Sequence, residues 1–152
     1  MSYVTREARE QLLETIAEAI ERIGAGLAAL GVAYEQLPDA NADRLEEELF
    51  RPVQLAYGRL QRTHAGFAER HGLPARAFEP SVGSSRPHQA RELVEDAVEA
   101  VVDGDYTLTD LQDSMMPVEV GDPELRAGLA EVRELIGGLD SRAGAFLSTL
   151  GR

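Results

Sequence analysis

The amino-acid sequence predicts an all-α protein, an antiparallel up-and-down four-helix bundle with long helices and an interrupted third helix. Apolar residues recur at alternating steps of three and four along most of the chain, which is the spacing of an amphipathic helix. Prolines, glycines and short polar residues fall between these stretches, and no segment shows the two-residue alternation of a strand. The chain has 152 residues, the size of one ordinary domain, so residues 1–152 are predicted to form a single helical-bundle domain.

The first and fourth helices carry the clearest pattern. Apolar residues keep the helical spacing from Leu13 to Leu37, and Pro38 ends this first helix, which covers about residues 5–37. Asp122-Pro123 is a capping residue followed by proline at the first helical position. This pair opens a fourth helix that is predicted to continue to the end of the chain.

The middle of the chain predicts two less regular helices. The second covers about residues 41–70, and Pro52 inside it predicts a kink or break because proline lacks a backbone N–H. Residues 72–86 form the predicted crossover between two helical hairpins. The third helix is predicted to begin at a cap formed by Ser84 or Ser85. It is predicted to end at the turn sequence around Gly104, before a short helical turn from residue 109 to 115.

Charge and composition exclude several classes of function. The formal net charge of −12 disfavours binding to nucleic acid or to an anionic membrane, since both need a cationic surface. No apolar run is long enough to span a membrane, and the acidic first forty residues are unlike a secretory signal, which together predict a cytoplasmic protein. The chain contains no cysteine, which excludes disulfides and thiolate chemistry.

The charges are also unevenly distributed. Residues 92–125 contain eleven Asp or Glu and no basic residue. The stretch from Arg70 to Arg91 contains four arginines and a single acid, Glu79. Such segregation favours a partner of complementary charge, and the long apolar seams favour self-association, so the expected partner is a second copy of the chain or another protein.

The start of the third helix is the candidate anion site. Free backbone amides, two hydroxyls and nearby guanidinium groups could hold a phosphate or carboxylate there. An ordinary helix cap explains the same residues equally well, because the glycine-rich loop and lysine of a nucleotide-binding loop are missing. The candidate ligand-binding residues are Ser84, Ser85, Arg86, His88 and Arg91.

A second candidate is a metal site on the second helix. Tyr57, His64 and His71 are spaced seven apart and share one stripe of this helix, so with a facing glutamate the two imidazoles could hold a divalent ion. The Glu-x-x-His pattern of di-iron bundles is absent at all three histidines. Hydrogen bonding at the edge of the core is the simpler interpretation. No cofactor is predicted, and no set of catalytic residues can be singled out.

Five glycines inside predicted helices form the third candidate. Each costs about 1 kcal/mol relative to alanine in a helix, so some contact must compensate. The glycines would lie at one height of the bundle and form either a waist that admits a ligand, with Tyr57 and His64 as its polar residues, or a seam of close helix packing, which we favour. They are Gly24, Gly26, Gly58, Gly137 and Gly138.

Two functions of different classes follow from these features. The favoured one is a non-catalytic, self-associating protein-interaction module whose acidic segment or basic crossover contacts a partner. The alternative is a small-molecule binding protein or enzyme, with an anionic ligand or a metal held at the glycine-rich waist or at the Ser84 to Arg91 helix start.

Overall fold

The protein is all-helical in the computed structural model, which describes residues 3–80 and 89–150. Within these residues every regular element is a helix, and this confirms the predicted all-α class. The elements are α1 (Tyr3–Gln36), α2 (Asp39–Leu45), a π-helical segment (Glu46–Phe50), α3 (Arg51–Arg70), α4 (Ala90–Asp113), α5 (Met116–Glu119), α6 (Pro123–Ile136) and α7 (Leu139–Leu150). None of the described helices combines the length and apolar character needed to cross a membrane.

The helices do not alternate in direction along the chain. As residue numbers rise along α1 they fall along both α3 and α4, so α3 and α4 are parallel to each other. The facing pairs are Gly24 with Tyr57, Gly31 with Phe50, Ile23 with Gly104, and Gly26 with Val101. Helix α6 is antiparallel to α3, since Arg70 contacts Asp122 while Arg59 contacts Glu131.

The predicted up-and-down order is therefore wrong, because the second and third helical stretches run in the same direction. An amphipathic stripe has the same spacing in either direction, so the direction depends on the connection between the stretches. The residues from 71 to 89 can span about 60 Å when extended, whereas the 24 residues of α4 extend about 36 Å. The connection is long enough to run along the molecule and need not form a tight turn.

The third helix is not interrupted, which corrects the second part of the predicted fold. Helix α4 continues through Asp103-Gly104-Asp105 to Asp113. A Cβ at Gly104 would lie 3.0 Å from Ile23 Cγ1 and 3.3 Å from the carbonyl oxygen of Ala19. Glycine at this position permits close contact with α1, and the packing stabilises a helix that the local turn signal disfavours.

The interruption lies in the fourth helical stretch. Helix α6 ends at Ile136, where Gly137 has an extended backbone and Gly138 has a φ of +75°, and α7 begins at Leu139. A positive φ is a conformation that glycine adopts at little cost. The break leaves the apolar spacing intact, because Leu139, Ala143 and Phe146 are all buried.

The second helical stretch is not broken at Pro52, since helical backbone continues through this residue. The five residues from Glu46 to Phe50 form a π-helical turn, and the backbone N–H of Arg51 donates to the carbonyl of Glu46, five residues earlier. Pro52 then lies in the first turn of α3, where a missing N–H is tolerated. The wider turn is the local adjustment that accommodates the proline.

Candidate functional site

The residues after α3 form an irregular segment that covers part of the molecule. We call residues 73–80 the strap. Gly72, with a φ of +65°, reverses the chain at the end of α3, and the N–H of Leu73 donates to the carbonyl of Ala68 at 2.8 Å. This is the left-handed glycine termination common at helix ends. Leu73 is buried, so the strap begins in the core.

Arg76 fastens the strap to α1. Its guanidinium lies 2.7 Å from Glu21 Oε1 and 3.6 Å from Glu14 Oε2. It also lies over the ring of Phe78, 5.1 Å from the ring centroid. The two glutamates are two turns apart on α1, so the strap follows this helix.

His64 lies beneath the strap and is only 3% exposed. Its ring meets the Phe78 ring edge-on, with centroids 5.3 Å apart and an interplanar angle of 83°. Burial, followed by the positive charge of Arg76, lowers the pKa of His64, although Glu14 and the Leu13 carbonyl act in the opposite direction. The ring is therefore neutral at pH 7.

One nitrogen of His64 lacks a hydrogen bond. Nδ1 is buried and has no partner among the described residues. A neutral imidazole has one N–H donor and one acceptor nitrogen, and Nδ1 is the ring nitrogen that is buried without a partner. A buried polar atom without a partner costs about 1–3 kcal/mol.

A cavity of about 290 Å³ lies between α1, the end of α3 and the strap. We call it the His64 cavity. Leucines and the strap form its apolar walls, and charged side chains from α1 and the strap stand at its rim. The lining includes Glu10, Leu13, Glu14, His64, Leu73 and Arg76.

His71 takes part in a separate network at the end of α3. Its Nε2 lies 2.9 Å from Asp122 Oδ2, and Arg70 donates to both oxygens of the same carboxylate, at 2.8 and 2.9 Å. The N–H of Leu125 donates to Oδ1, so Asp122 is also the N-cap of α6. Burial would raise the pKa of Asp122, but these hydrogen bonds outweigh it and hold the pKa well below its usual range.

The two predicted metal ligands therefore lie in different surroundings. His64 is enclosed beneath Phe78, whereas His71 contacts Asp122. Over residues 3–80 and 89–150, no group of three or more His, Asp or Glu side chains is arranged to hold a metal ion. Metal binding by His64 and His71 stays a prediction from the sequence, because the described residues supply no third ligand for it.

Most of the predicted anion site lies outside the described residues. Ser84, Ser85, Arg86 and His88 belong to residues 81–88. The third helical stretch begins at Ala90 with Gln89 as its N-cap residue, so the predicted serine cap is wrong. Arg91 is described, and its Nη2 donates to the carbonyl of Leu147 at 2.6 Å. Anion binding by these residues stays a prediction.

The predicted glycine waist is filled by neighbouring side chains where α1 crosses α3 and α4. A Cβ at Gly24 would lie 2.8 Å from Tyr57 Cε1, and one at Gly26 would lie 2.6 Å from Val101 Cγ2. Tyr57 is buried there, and burial together with the charge of Glu79 raises its pKa. These contacts fit the close-packing interpretation, which we favoured from the sequence. A Cβ at Gly58 would meet only the side chain of Arg62, and Gly137 and Gly138 form the break in the fourth stretch.

Sequence reasoning missed the strap as a structural element. The arginines of the Arg70 to Arg91 stretch were interpreted as a surface for a partner, but Arg70, Arg76 and Arg91 all contact groups of the same chain. The available signal was Phe78, the one aromatic residue of the predicted crossover at residues 72–86. An isolated aromatic residue in such a segment indicates docking onto a core.

Apolar side chains are exposed at the end of the molecule where α1 begins. We call Tyr3, Val4, Met115 and Val118 the apolar end; they are 76%, 73%, 50% and 57% exposed. Arg9, just over one turn beyond Val4, donates from Nε to the carbonyl of Val120, which places α1 and the α5 region side by side.

The backbone holds Met115 in an unusual conformation at this end. Its φ is +68°, a left-handed value that is costly for any residue with a side chain. The N–H groups of Val118 and Glu119 both donate to its carbonyl, at 3.0 and 2.9 Å, which stabilises the turn. The strained turn starts α5 and leaves the methionine side chain half exposed.

The solvent side of α4 is almost entirely acidic. Seven exposed residues recur there at steps of four and three, and six of them are acidic. We call them the acidic face: Glu92, Asp96, Glu99, Asp103, Tyr106, Asp110 and Asp113. Arg22 approaches Asp103 at 3.9 Å. In the part of the chain that is described, Asp96, Glu99, Asp110 and Asp113 have no ion pair.

Comparison of the whole chain with protein-family models, with curated proteins and with solved structures found no match.

Proposed function

We propose that this protein is a non-catalytic protein-interaction module, a single cytoplasmic four-helix-bundle domain that self-associates through its apolar end. The exposure of Tyr3, Val4, Met115 and Val118 is the observation that carries the proposal. Together, these four apolar side chains leave more apolar area in water than a single exposed residue does. Burying that area against a second copy is favourable.

The apolar end also suits contact between two identical copies because of where the charges lie. Acidic side chains cover the length of α4, so side-by-side packing of two copies along α4 would bring like charges together. Contact between the ends keeps the two acidic faces apart. The apolar end is small, so the dimer is weak and depends on concentration.

The acidic face is the surface we assign to other partners. Its acidic side chains recur at steps of four and three and complement a basic partner, with Tyr106 as an exposed aromatic anchor 66% accessible to solvent. The basic crossover is less suited to this role, because Arg70 and Arg76 already pair with acids of the same chain. We therefore expect a basic segment of another protein to bind along α4.

Sedimentation equilibrium of three proteins tests the self-association. The wild type should dimerise reversibly, and Val118→Ser should weaken the dimer because it removes apolar area from the proposed contact. Leu55→Ser is the matched control, because Leu55 is 53% exposed but lies on α3, away from the apolar end. A monomeric wild type, or equal weakening by both substitutions, would rule out the proposed contact.

A further inference from the structure

Nδ1 of His64 has no hydrogen-bond partner in the described residues, and the side chain is 3% exposed. A neutral imidazole has one acceptor nitrogen, and with the proton on Nε2 that acceptor is Nδ1. The atom is covered while the strap lies over the ring, and unsatisfied buried polar atoms are rare in folded proteins. His64 also lines the His64 cavity, so a molecule in that cavity with an N–H or O–H group can supply the missing hydrogen bond.

Acidic side chains outnumber basic ones at the rim of the cavity, where Glu10 and Glu14 stand beside Arg76. Glu10 and Glu14 lie one turn apart on α1 and both line the cavity. Their present ion pairs, to Arg6 at 3.2 Å and to Arg76 at 3.6 Å, are solvent-exposed. Exposed ion pairs of this kind contribute little to stability, so the cationic group of a ligand can compete for these carboxylates. The net charge of −12 also favours a cation over an anion.

The walls of the cavity indicate the size and polarity of the rest of the ligand. Leu13 and Leu73 are both buried and form apolar walls, and the volume of about 290 Å³ suits a small organic molecule. The strap forms the outer wall. Beyond Leu73 it is held mainly by Arg76 and Phe78, so it can shift to admit a ligand.

We propose that the His64 cavity binds a small organic amine: its ammonium group donates to His64 Nδ1 and pairs with Glu10 and Glu14, while a short apolar body packs between Leu13 and Leu73. This site shares His64 with the predicted metal site but does not use His71, and its ligand is an organic cation, whereas the predicted anion site would take an anion. It does not depend on self-association.

Benzylamine is a suitable probe, with benzyl alcohol as the uncharged control of nearly the same shape. Long-range proton–nitrogen NMR spectra of the full-length protein report each imidazole nitrogen separately. Benzylamine should shift the Nδ1 resonance of His64 saturably, because that atom gains a hydrogen bond. The ring of His71, which contacts Asp122, serves as an internal reference. Benzyl alcohol should bind at least about tenfold more weakly, since it lacks the charge.

Two variants separate the parts of the site. His64→Phe keeps an aromatic ring against Phe78 but removes the acceptor, and it should weaken benzylamine binding about tenfold when binding is followed by calorimetry. Glu10→Gln combined with Glu14→Gln changes two exposed side chains, so this variant should fold even if His64→Phe does not. It should weaken benzylamine binding to a similar extent and leave the weak binding of benzyl alcohol unchanged.

Three results would overturn the proposal. The first is the absence of a saturable shift at His64 Nδ1 with benzylamine. The second is equal affinity for benzyl alcohol and benzylamine, which would mean an apolar cavity without cation recognition. The third is benzylamine binding that the glutamine double variant does not weaken.

Discussion

Gly26 of α1 lies directly against the backbone of α4 at Ala97, where a Cβ at position 26 would be 2.9 Å from the Ala97 carbonyl oxygen. The side chain of Val101 fills the rest of the space. A backbone carbonyl inside a helix cannot move aside as a flexible side chain can. The glycine therefore fixes how closely the two helices approach.

Gly26→Ala should destabilise the protein. Overpacking of a buried contact costs about 1–3 kcal/mol, and the better helix propensity of alanine offsets about 1 kcal/mol of that, so a net loss of up to about 2 kcal/mol is expected. Gly144→Ala is the control, because Gly144 lies in α7 with nothing within 4 Å of an added Cβ. It should stabilise by up to about 1 kcal/mol. Urea unfolding measures both, and equal stabilities of the two variants would refute close packing at Gly26.

His64 should make stability sensitive to mild acid. Its pKa is lowered in the folded protein from the ordinary 6.5, mainly by burial and then by Arg76. The unfolded chain therefore binds a proton more readily, and stability falls as the pH drops below about 6.5 towards the folded pKa. Urea unfolding at pH 7.5 and pH 5.5 should show a larger loss for the wild type than for His64→Phe. Parallel pH dependence of the two proteins would contradict this role of His64.

Asp122 should contribute to stability down to strongly acidic pH. Its folded pKa lies well below the ordinary 3.8, so its contribution is complete above that value and is lost only as the pH falls further. Asp122→Ala removes the cap of α6 and the paired hydrogen bonds of Arg70, and it should cost about 1–3 kcal/mol at pH 7.

Glu124→Ala is the matched control for Asp122→Ala. Glu124 also pairs with Arg70, at 2.9 Å, but its side chain is 75% exposed. An exposed pair contributes about 0–1 kcal/mol, so thermal unfolding should show a small shift for Glu124→Ala and a large one for Asp122→Ala. Similar shifts of the unfolding temperature for the two variants would mean that the N-cap and the other hydrogen bonds of Asp122 do not contribute to stability.

Helical periodicity was sufficient to predict the fold class and most helix boundaries, but local signals misplaced the interruption. Asp103-Gly104-Asp105 has the composition of a turn, yet contact of Gly104 with Ile23 and Ala19 keeps α4 continuous. Gly137-Gly138 looked like part of a helix because the apolar spacing continues on both sides. At Gly104 the outcome depends on packing between helices, which a single sequence does not contain. At Gly138 it depends on a positive φ, which the apolar spacing does not reveal.

The candidate site was predictable only in part, for a related reason. The sequence singled out Tyr57 and His64 as the polar residues of the predicted glycine waist, and both are buried. The cover over His64 was not predictable, because it depends on the direction in which the crossover leaves α3. That direction also decides whether α4 runs parallel or antiparallel to α3, so the error in helix order and the missed strap have the same cause.

The net charge of −12 on each copy should make self-association sensitive to salt. Like charges on two copies repel each other, and raising the ionic strength from about 0.1 M to about 1 M shortens the screening length from about 10 Å to about 3 Å. Burial of the apolar end is little affected by screening. Dimerisation should therefore strengthen with salt when it is followed by sedimentation equilibrium, and weakening with salt would indicate an interface made of ion pairs.

Size-exclusion chromatography with light scattering on the wild-type protein, at two concentrations, is the most direct test of the self-association proposed here. The molar mass should rise with concentration towards twice the monomer mass, because contact at the apolar end is weak and reversible. A monomer mass that stays constant at both concentrations would contradict self-association and leave the acidic face and the His64 cavity as the remaining functional surfaces.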